Sequence, residues 1–273
     1  EISVREYYGT ADDGEKKDLE KTVKRVTEKI LRPLLGEEGR MPDKRFEALT
    51  ERLRRTAVFV LRNTIEELDC GSFVPALFEL EIGGEKADPL VVRLNDGSEA
   101  VIVGKVDRVD VYRSKPEVFL RVVDYKSGSV KHSLDKLSEG IDMQMLLYMY
   151  ALLENRNPDF LRGIGADYGD KIKPGGVMYQ PVKLSVEKSP FPLDENESKG
   201  SAEKSLVRSG IFNSDRRVLQ AMENGLEGKY IPVKMTKDGN ITGNSALASD
   251  NDFTEIYDVI TGALSRIVEN MKN

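Results

Sequence analysis

Between residues 72 and 128 the chain repeats one pattern, a run rich in β-branched and aromatic residues closed by a turn. The runs are SFVPALFELEIGG (72–84), PLVVRL (89–94), EAVIVGKVDRVDVYR (99–113) and EVFLRVVDYKSG (117–128), with NDG at 95–97 and SKP at 114–116 as turns. This block predicts a meander of three or four antiparallel strands. Helical periodicity flanks it. Leu19, Val23, Val26, Ile30 and Leu34 recur at three- and four-residue spacing within 15–35. Phe46, Leu49, Leu53, Ala57, Val60, Leu61, Thr64 and Leu68 repeat the pattern within 43–69. After the strand block the pattern predicts a helix over 134–155, a strand at 175–185 and a polar loop at 187–204. Short helices around 203–208 and 214–224, a Gly/Asn-rich loop at 236–251 and a closing helix over 252–271 complete the reading. The expectation is an α/β fold with helices on both sides of a mixed central sheet. It divides into a helical lead-in (1–71), a core (72–186) and a loop-rich C-terminal helical part (187–273) packing on the same domain.

Several function classes fall away. The longest apolar runs, such as TAVFVL and MLLYMYALL, are too short to span a bilayer, and no signal peptide is visible, so no membrane partner is expected. The single cysteine, Cys70, excludes an internal disulfide framework and any metal site built from several cysteines of this chain; lack of disulfides fits a reducing, cytoplasmic setting. A net charge of −6 argues against a DNA-coating protein while leaving room for a local basic groove. No G-x-x-x-x-G-K-[ST] phosphate loop is present, so an ATP motor would lie elsewhere. The chain starts on Glu1 and stops in SRIVENMKN, inside a continuing helical pattern, and it reads as a segment of a longer polypeptide.

One stretch looks chemical. Strand alternation in EVFLRVVDYK puts Val118, Leu120, Val122, Asp124 and Lys126 on one face, so an acid and a lysine emerge together at the end of an apolar strand. In the preceding strand, GKVDRVD, Asp107 and Asp110 cannot share a face without a bulge; a hairpin of the two strands brings one or the other near Asp124. Two carboxylates from adjacent strands make a hard-oxygen site for Mg²⁺ or Mn²⁺. A lysine two residues on is placed to orient water and to stabilise charge on a phosphate, which is the equipment for metal-assisted phosphodiester hydrolysis. Gln144 and Tyr148, one helical turn apart, follow on the next helix. Taken singly, an Asp-x-Lys at a strand end is common and a Gln/Tyr pair is an ordinary helix face; the weight rests on the ordered set.

That set resembles the RecB-like branch of the PD-(D/E)xK nuclease superfamily, and within it the C-terminal nuclease domains of the AddB subunits of bacterial AddAB helicase–nucleases. The resemblance covers about 72–156 well and the flanks more loosely. Gly104 and Asp107 match G-x-x-D, Asp124 and Lys126 match D-x-K, and Gln144 and Tyr148 match Q-x-x-x-Y. It implies a restriction-endonuclease-like core, with Asp107, Asp124 and the carbonyl of Tyr125 on metal and Lys126 as the catalytic lysine. Glu79 in FELEIG matches the upstream acid, with Glu81 as the alternative, and Gln144, Tyr148, Arg108 and Lys131 are expected to contact DNA or support the site. The implied activity is Mg²⁺-dependent DNA end processing in recombination and repair, beside an AddA-type subunit. Two departures stand out. The family's metal-binding histidine precedes these strands, whereas His132, the one histidine here, follows the lysine and reads as surface or DNA-proximal. The four-cysteine 4Fe-4S cluster of many AddB domains cannot be built from Cys70, and is expected only in a full-length protein. The competing expectation is a catalytically incomplete nuclease-fold module for DNA threading or subunit docking; a free-standing exonuclease is a third.

Overall fold

The computed structural model describes residues 18–31, 44–127, 143–182, 206–243 and 246–272. Contacts divide the chain into two units, one of residues 1–69 and 182–206, the other of 70–181 and 207–273. In the first, α1 (Asp18–Leu31) and α2 (Lys44–Cys70, whose last residue belongs to the second unit) are fastened by ion pairs from Arg54 to Glu28 (3.5 Å) and from Arg62 to Glu20 (3.7 Å). No helix among the described residues is long and apolar enough to cross a membrane.

The second unit holds β1 (Val74–Ile82), β2 (Leu90–Arg93), β3 (Glu99–Ile102), β4 (Gly104–Ser114), β5 (Glu117–Lys126), α3 (Gln144–Glu154), α4 (Pro158–Ile164) and β6 (Lys171–Pro181). β7 (Ser209–Asn213), α5 (Arg216–Met222), β8 (Val233–Met235), β9 (Ile241–Gly243), β10 (Ala246–Ala248) and α6 (Asp250–Lys272) follow. Six strands form a mixed sheet in the order β1-β4-β5-β6-β7-β10. β4 pairs antiparallel with β1 and β5, whereas β5 and β6 run parallel because α3 and α4 carry the chain back across the sheet.

Alternation along β5 sorts its side chains between two cores. Val118, Leu120 and Val122 pack with Met145–Leu152 of α3, with Phe160 and Ile164 of α4, and with Phe253 and Ile260 of α6. Phe119 and Val123 face the other way, into Phe73, Met178, Phe212 and the Val218–Leu219 pair of α5. A strand covered on both faces needs a continuous apolar run, and each fully buried Val, Leu or Phe there contributes about 1.5–3 kcal/mol. α3 is buried from Met145 to Leu152 for the same reason.

The structure departs from the sequence reading in places. Residues 99–113 are two strands, not one: the chain breaks at Val103, β3 pairs only with β2 as a separate ribbon, and β4 alone enters the sheet. The antiparallel neighbours of β4 are therefore β1 and β5, and the expected meander skips a hairpin. Residues 206–208 are not helical and lead into β7, and 236–251 contains β9 and β10. The parts of the expected elements at 15–17, 32–35, 134–142 and 183–185 lie outside the described residues.

Candidate active site

The register of β4 on β5 decides which acid meets Asp124. The β4–β5 ladder ends with Arg108 paired to Val123 and Val109 to Val122; one step beyond that end the same register carries Asp107 toward Asp124, and Asp107 bonds the backbone N–H of the next residue, Tyr125. Asp110 pairs with Arg121 on the opposite face and is fully buried. There it lies 2.9 Å from Nε of Arg108 and accepts hydrogen bonds from Nε and Nη2 of Arg121 at 3.0 and 2.7 Å. Asp110 is thus a structural counter-ion. Asp107 keeps a partly exposed position, and its Oδ2 accepts the backbone N–H of Tyr125 at 3.1 Å. The N–H and C=O of one strand residue point to the same edge. The Tyr125 carbonyl is therefore directed to the Asp107 side as well.

Lys126 closes the group. Its Nζ is 2.7 Å from Asp124 Oδ2, with 40% of the lysine side chain and 21% of the aspartate exposed. Like charges directly opposite each other on adjacent strands are destabilising, and one lysine cannot neutralise two carboxylates. A pair of hard oxygen donors at a half-exposed strand end suits a small divalent cation. Among the described residues, no group of three or more His, Cys, Asp or Glu side chains is gathered closely enough to hold one. The two-acid pair and the backbone carbonyl are what the described residues offer there.

Glu79 lies by register opposite Asp107, in the gap between Phe78↔Arg108 and Leu80↔Val106. Its backbone is left-handed (φ 50°), a conformation uncommon for a residue other than glycine, which interrupts strand alternation at this point. Its carboxylate is turned to Lys105, Oε2 to Nζ 2.7 Å. That hydrogen bond, with the charges of Glu79, Glu81 and Asp107, holds the Lys105 ammonium above the usual lysine range. Glu81 is exposed and pairs with Lys105 in register.

Gln144 and Tyr148 stand at the start of α3, joined by a hydrogen bond in which Gln144 Nε2 donates to Tyr148 Oη at 2.9 Å. Tyr148 is wedged onto Gly104: a Cβ there would lie 2.5 Å from Tyr148 Cζ and 2.6 Å from Cε1. The glycine of G-x-x-D is thus a seat for the tyrosine of Q-x-x-x-Y, and the two motifs touch directly. Arg108, expected to contact DNA or support the site, is 2% exposed on the back of the sheet. Its Nη1 donates to Tyr125 Oη at 2.7 Å and to Gln180 Oε1 at 3.4 Å, so it bears on the site through Tyr125. Lys131 and His132 lie outside the described residues. Cys70 is a free, partly buried thiol.

One residue beside the site was not anticipated. Tyr179 of β6 pairs with Asp124 in the parallel ladder and is buried, and its ring centroid is 5.8 Å from Lys126 Nζ. Only the β5–β6 pairing brings it there, and no spacing in the sequence announces that pairing.

The chain is similar to known proteins over most of its length. Residues 3–236 match the family model of the PD-(D/E)XK nuclease superfamily. The chain is 32% identical over 230 residues to an ATP-dependent helicase/deoxyribonuclease subunit of Clostridium acetobutylicum, covering 83% of this chain and 19% of that protein. Subunits of the same name from Acetivibrio thermocellus and Clostridioides difficile are 27% identical over 252 residues and 26% over 234, covering 91% and 83% of this chain and 21% and 20% of those proteins. The chain spans about a fifth of the length of these relatives.

Proposed function

The chain belongs to the PD-(D/E)XK nuclease superfamily, and from that premise we propose that it hydrolyses DNA phosphodiester bonds with a bound Mg²⁺ or Mn²⁺, as the nuclease domain of an AddB-type subunit of a bacterial helicase–nuclease. The observation that carries the reading is Asp107 just beyond the end of the β4–β5 ladder, its Oδ2 3.1 Å from the Tyr125 N–H, with Lys126 Nζ 2.7 Å from Asp124. Asp107, Asp124 and the Tyr125 carbonyl would hold the ion, which supplies Lewis acidity and lowers the pKa of a bound water. Lys126, drawn off Asp124, would orient water and bear on the charge of the scissile phosphate. Gln144 and Tyr148, bonded to each other, would wall the site from α3, and Arg108, bonded to Tyr125, would steady it from behind. Lys131 remains a proposed DNA contact. Groups acting on phosphate read backbone and not bases, which suits DNA ends fed by a motor. The relatives are named as subunits of an ATP-dependent helicase/deoxyribonuclease, which supports a partner subunit; an AddA-type partner, a cytoplasmic setting in bacteria, a role in recombination and repair and a 4Fe-4S cluster in a longer protein belong to the same proposal.

A second reading has its own observation: the third acid, Glu79, is held by Lys105 and no three-donor group is gathered among the described residues. A nuclease fold kept for DNA threading or subunit docking would look like this. Calorimetric titration of Mn²⁺ into the parent chain, Asp107→Ala and Asp124→Ala, with cleavage of end-labelled DNA in parallel, separates the two. The nuclease reading expects binding and cleavage in the parent and loss of both in each variant. A parent that neither binds nor cleaves refutes it.

A further inference from the structure

Resting on the nuclease reading, we infer that Tyr179 is a positioning residue for Lys126, its ring holding the ammonium in place once Asp124 is engaged by metal. Among the described residues Lys126 Nζ has two partners, Asp124 Oδ2 at 2.7 Å and the Tyr179 ring at 5.8 Å to the centroid. The first partner is temporary by the logic of the site. A divalent ion on Asp124 competes with the lysine for the same oxygens and repels its charge, so the ion pair that fixes Lys126 in the metal-free chain is the contact that metal removes.

The ring contact does not share this weakness, because an aromatic face attracts a cation through its quadrupole and carries no net charge for the metal to take. Its placement is rigid. Tyr179 is 6% exposed, sits in the apolar cluster under α3 and is fixed beside Asp124 by the parallel β5–β6 ladder. A lysine has four rotatable side-chain bonds and loses much rotamer freedom when held. A rigid wall that limits those rotamers keeps the ammonium near the phosphate, and the benefit appears in the chemical step because ground-state DNA binding needs no such alignment.

The test uses the full chain with Tyr179→Phe, which keeps the ring, and Tyr179→Leu, which keeps apolar bulk without it. The first readout is independent of cleavage: the ring-current upfield shift of the Lys126 ε-methylene in ¹³C-lysine-labelled protein, assigned by its absence in Lys126→Ala. It is expected in the parent and in Tyr179→Phe with saturating Mg²⁺, and not in Tyr179→Leu. The second is DNA cleavage, where Tyr179→Leu is expected to lose ten-fold or more in kcat with KM for DNA and Mn²⁺ affinity within two-fold, and Tyr179→Phe to stay within three-fold of the parent. Loss of the shift from the parent on adding Mg²⁺ overturns the inference, as does a Tyr179→Leu variant that cleaves at the parent rate, or a Tyr179→Phe variant as slow as Tyr179→Leu. A parent that keeps the shift but cleaves no DNA overturns the nuclease reading, and the catalytic role of Tyr179 falls with it.

Discussion

Gly104→Ala tests the contact between the two motifs, and its cost can be worked from geometry. The new Cβ would sit 2.5 Å from Tyr148 Cζ and 2.6 Å from Cε1, whereas carbons rest at about 3.5–4.0 Å, so ring or strand must yield by about 1 Å. Neither moves freely. Tyr148 belongs to a helix buried from Met145 to Leu152, and Gly104 opens a strand paired to β1 through Ile82. Overpacking of this kind costs about 1–3 kcal/mol, which for a protein of this size lowers Tm by roughly 2–4 °C per kcal/mol. The assay is equilibrium urea unfolding in a double-mutant cycle with Tyr148→Leu, which removes the ring atoms in conflict. Gly104→Ala is expected to cost about 1–3 kcal/mol in the parent and under about 0.5 kcal/mol in the Tyr148→Leu background, a coupling well above the error of additivity. A neutral Gly104→Ala, or equal costs in both backgrounds, refutes the reasoning and leaves the glycine of G-x-x-D without a packing explanation.

Other consequences can be checked alongside. Asp110→Asn deprives two buried guanidiniums, Arg108 and Arg121, of their shared charge partner, and should destabilise by about 3–5 kcal/mol in urea unfolding. Glu223 is buried and accepts four backbone N–H groups, from Glu227, Lys229, Tyr230 and Ile231. Glu223→Ala should therefore cost more than about 2 kcal/mol and raise amide exchange across 227–231 first. At the far end of the sheet, Lys173 hydrogen-bonds to Glu117 and holds its pKa below the usual glutamate range, and Arg217 does the same for Asp215. Folded pKa values below the unfolded ones of about 4.3 and 3.9 mean stability that is present above pH 4 and lost as pH falls through the folded values. Unfolding stabilities of the parent and Glu117→Gln should therefore converge as pH falls below about 4; stabilities that stay equally far apart on acidification would contradict this.

The legible part of the sequence was the part under the strongest constraint. β5 had to be apolar on both faces, so its extent and the exit of Asp124 and Lys126 on one face followed from alternation alone. The choice between Asp107 and Asp110 did not, because it depends on the one-residue register of β4 against β5, which no local pattern encodes. Three-residue strands such as β8, β9 and β10 leave no period to detect. The break at Val103 was hidden because β-branched residues continue on both sides of it. Tyr179 was invisible for a deeper reason. Its neighbours Asp124 and Lys126 are reached through a parallel crossover, and a crossover has no signature in either strand.

The two faces of the β4–β5 hairpin turn the same residue type to opposite ends. On the back, one aspartate meets two arginines in a site closed to water, and a buried cluster of that sort is stable because each carboxylate oxygen has a cation against it. On the front, Lys126 pairs with Asp124 alone at a half-exposed strand end and Asp107 lies nearby, leaving a formal charge of −1 from Asp107, Asp124 and Lys126. Had fold stability been the only requirement, the front could have been built like the back. The back acid fixes the register, and that register sets Asp107 against Asp124; the rigidity gained behind the sheet holds an under-compensated pair in front of it. Such a pair suits a cation from solution, and in the proposed mechanism the half-exposed lysine beside it would pass from Asp124 to the guidance of the Tyr179 ring when that cation arrives. The function proposed for this chain follows from that asymmetry more than from any single residue.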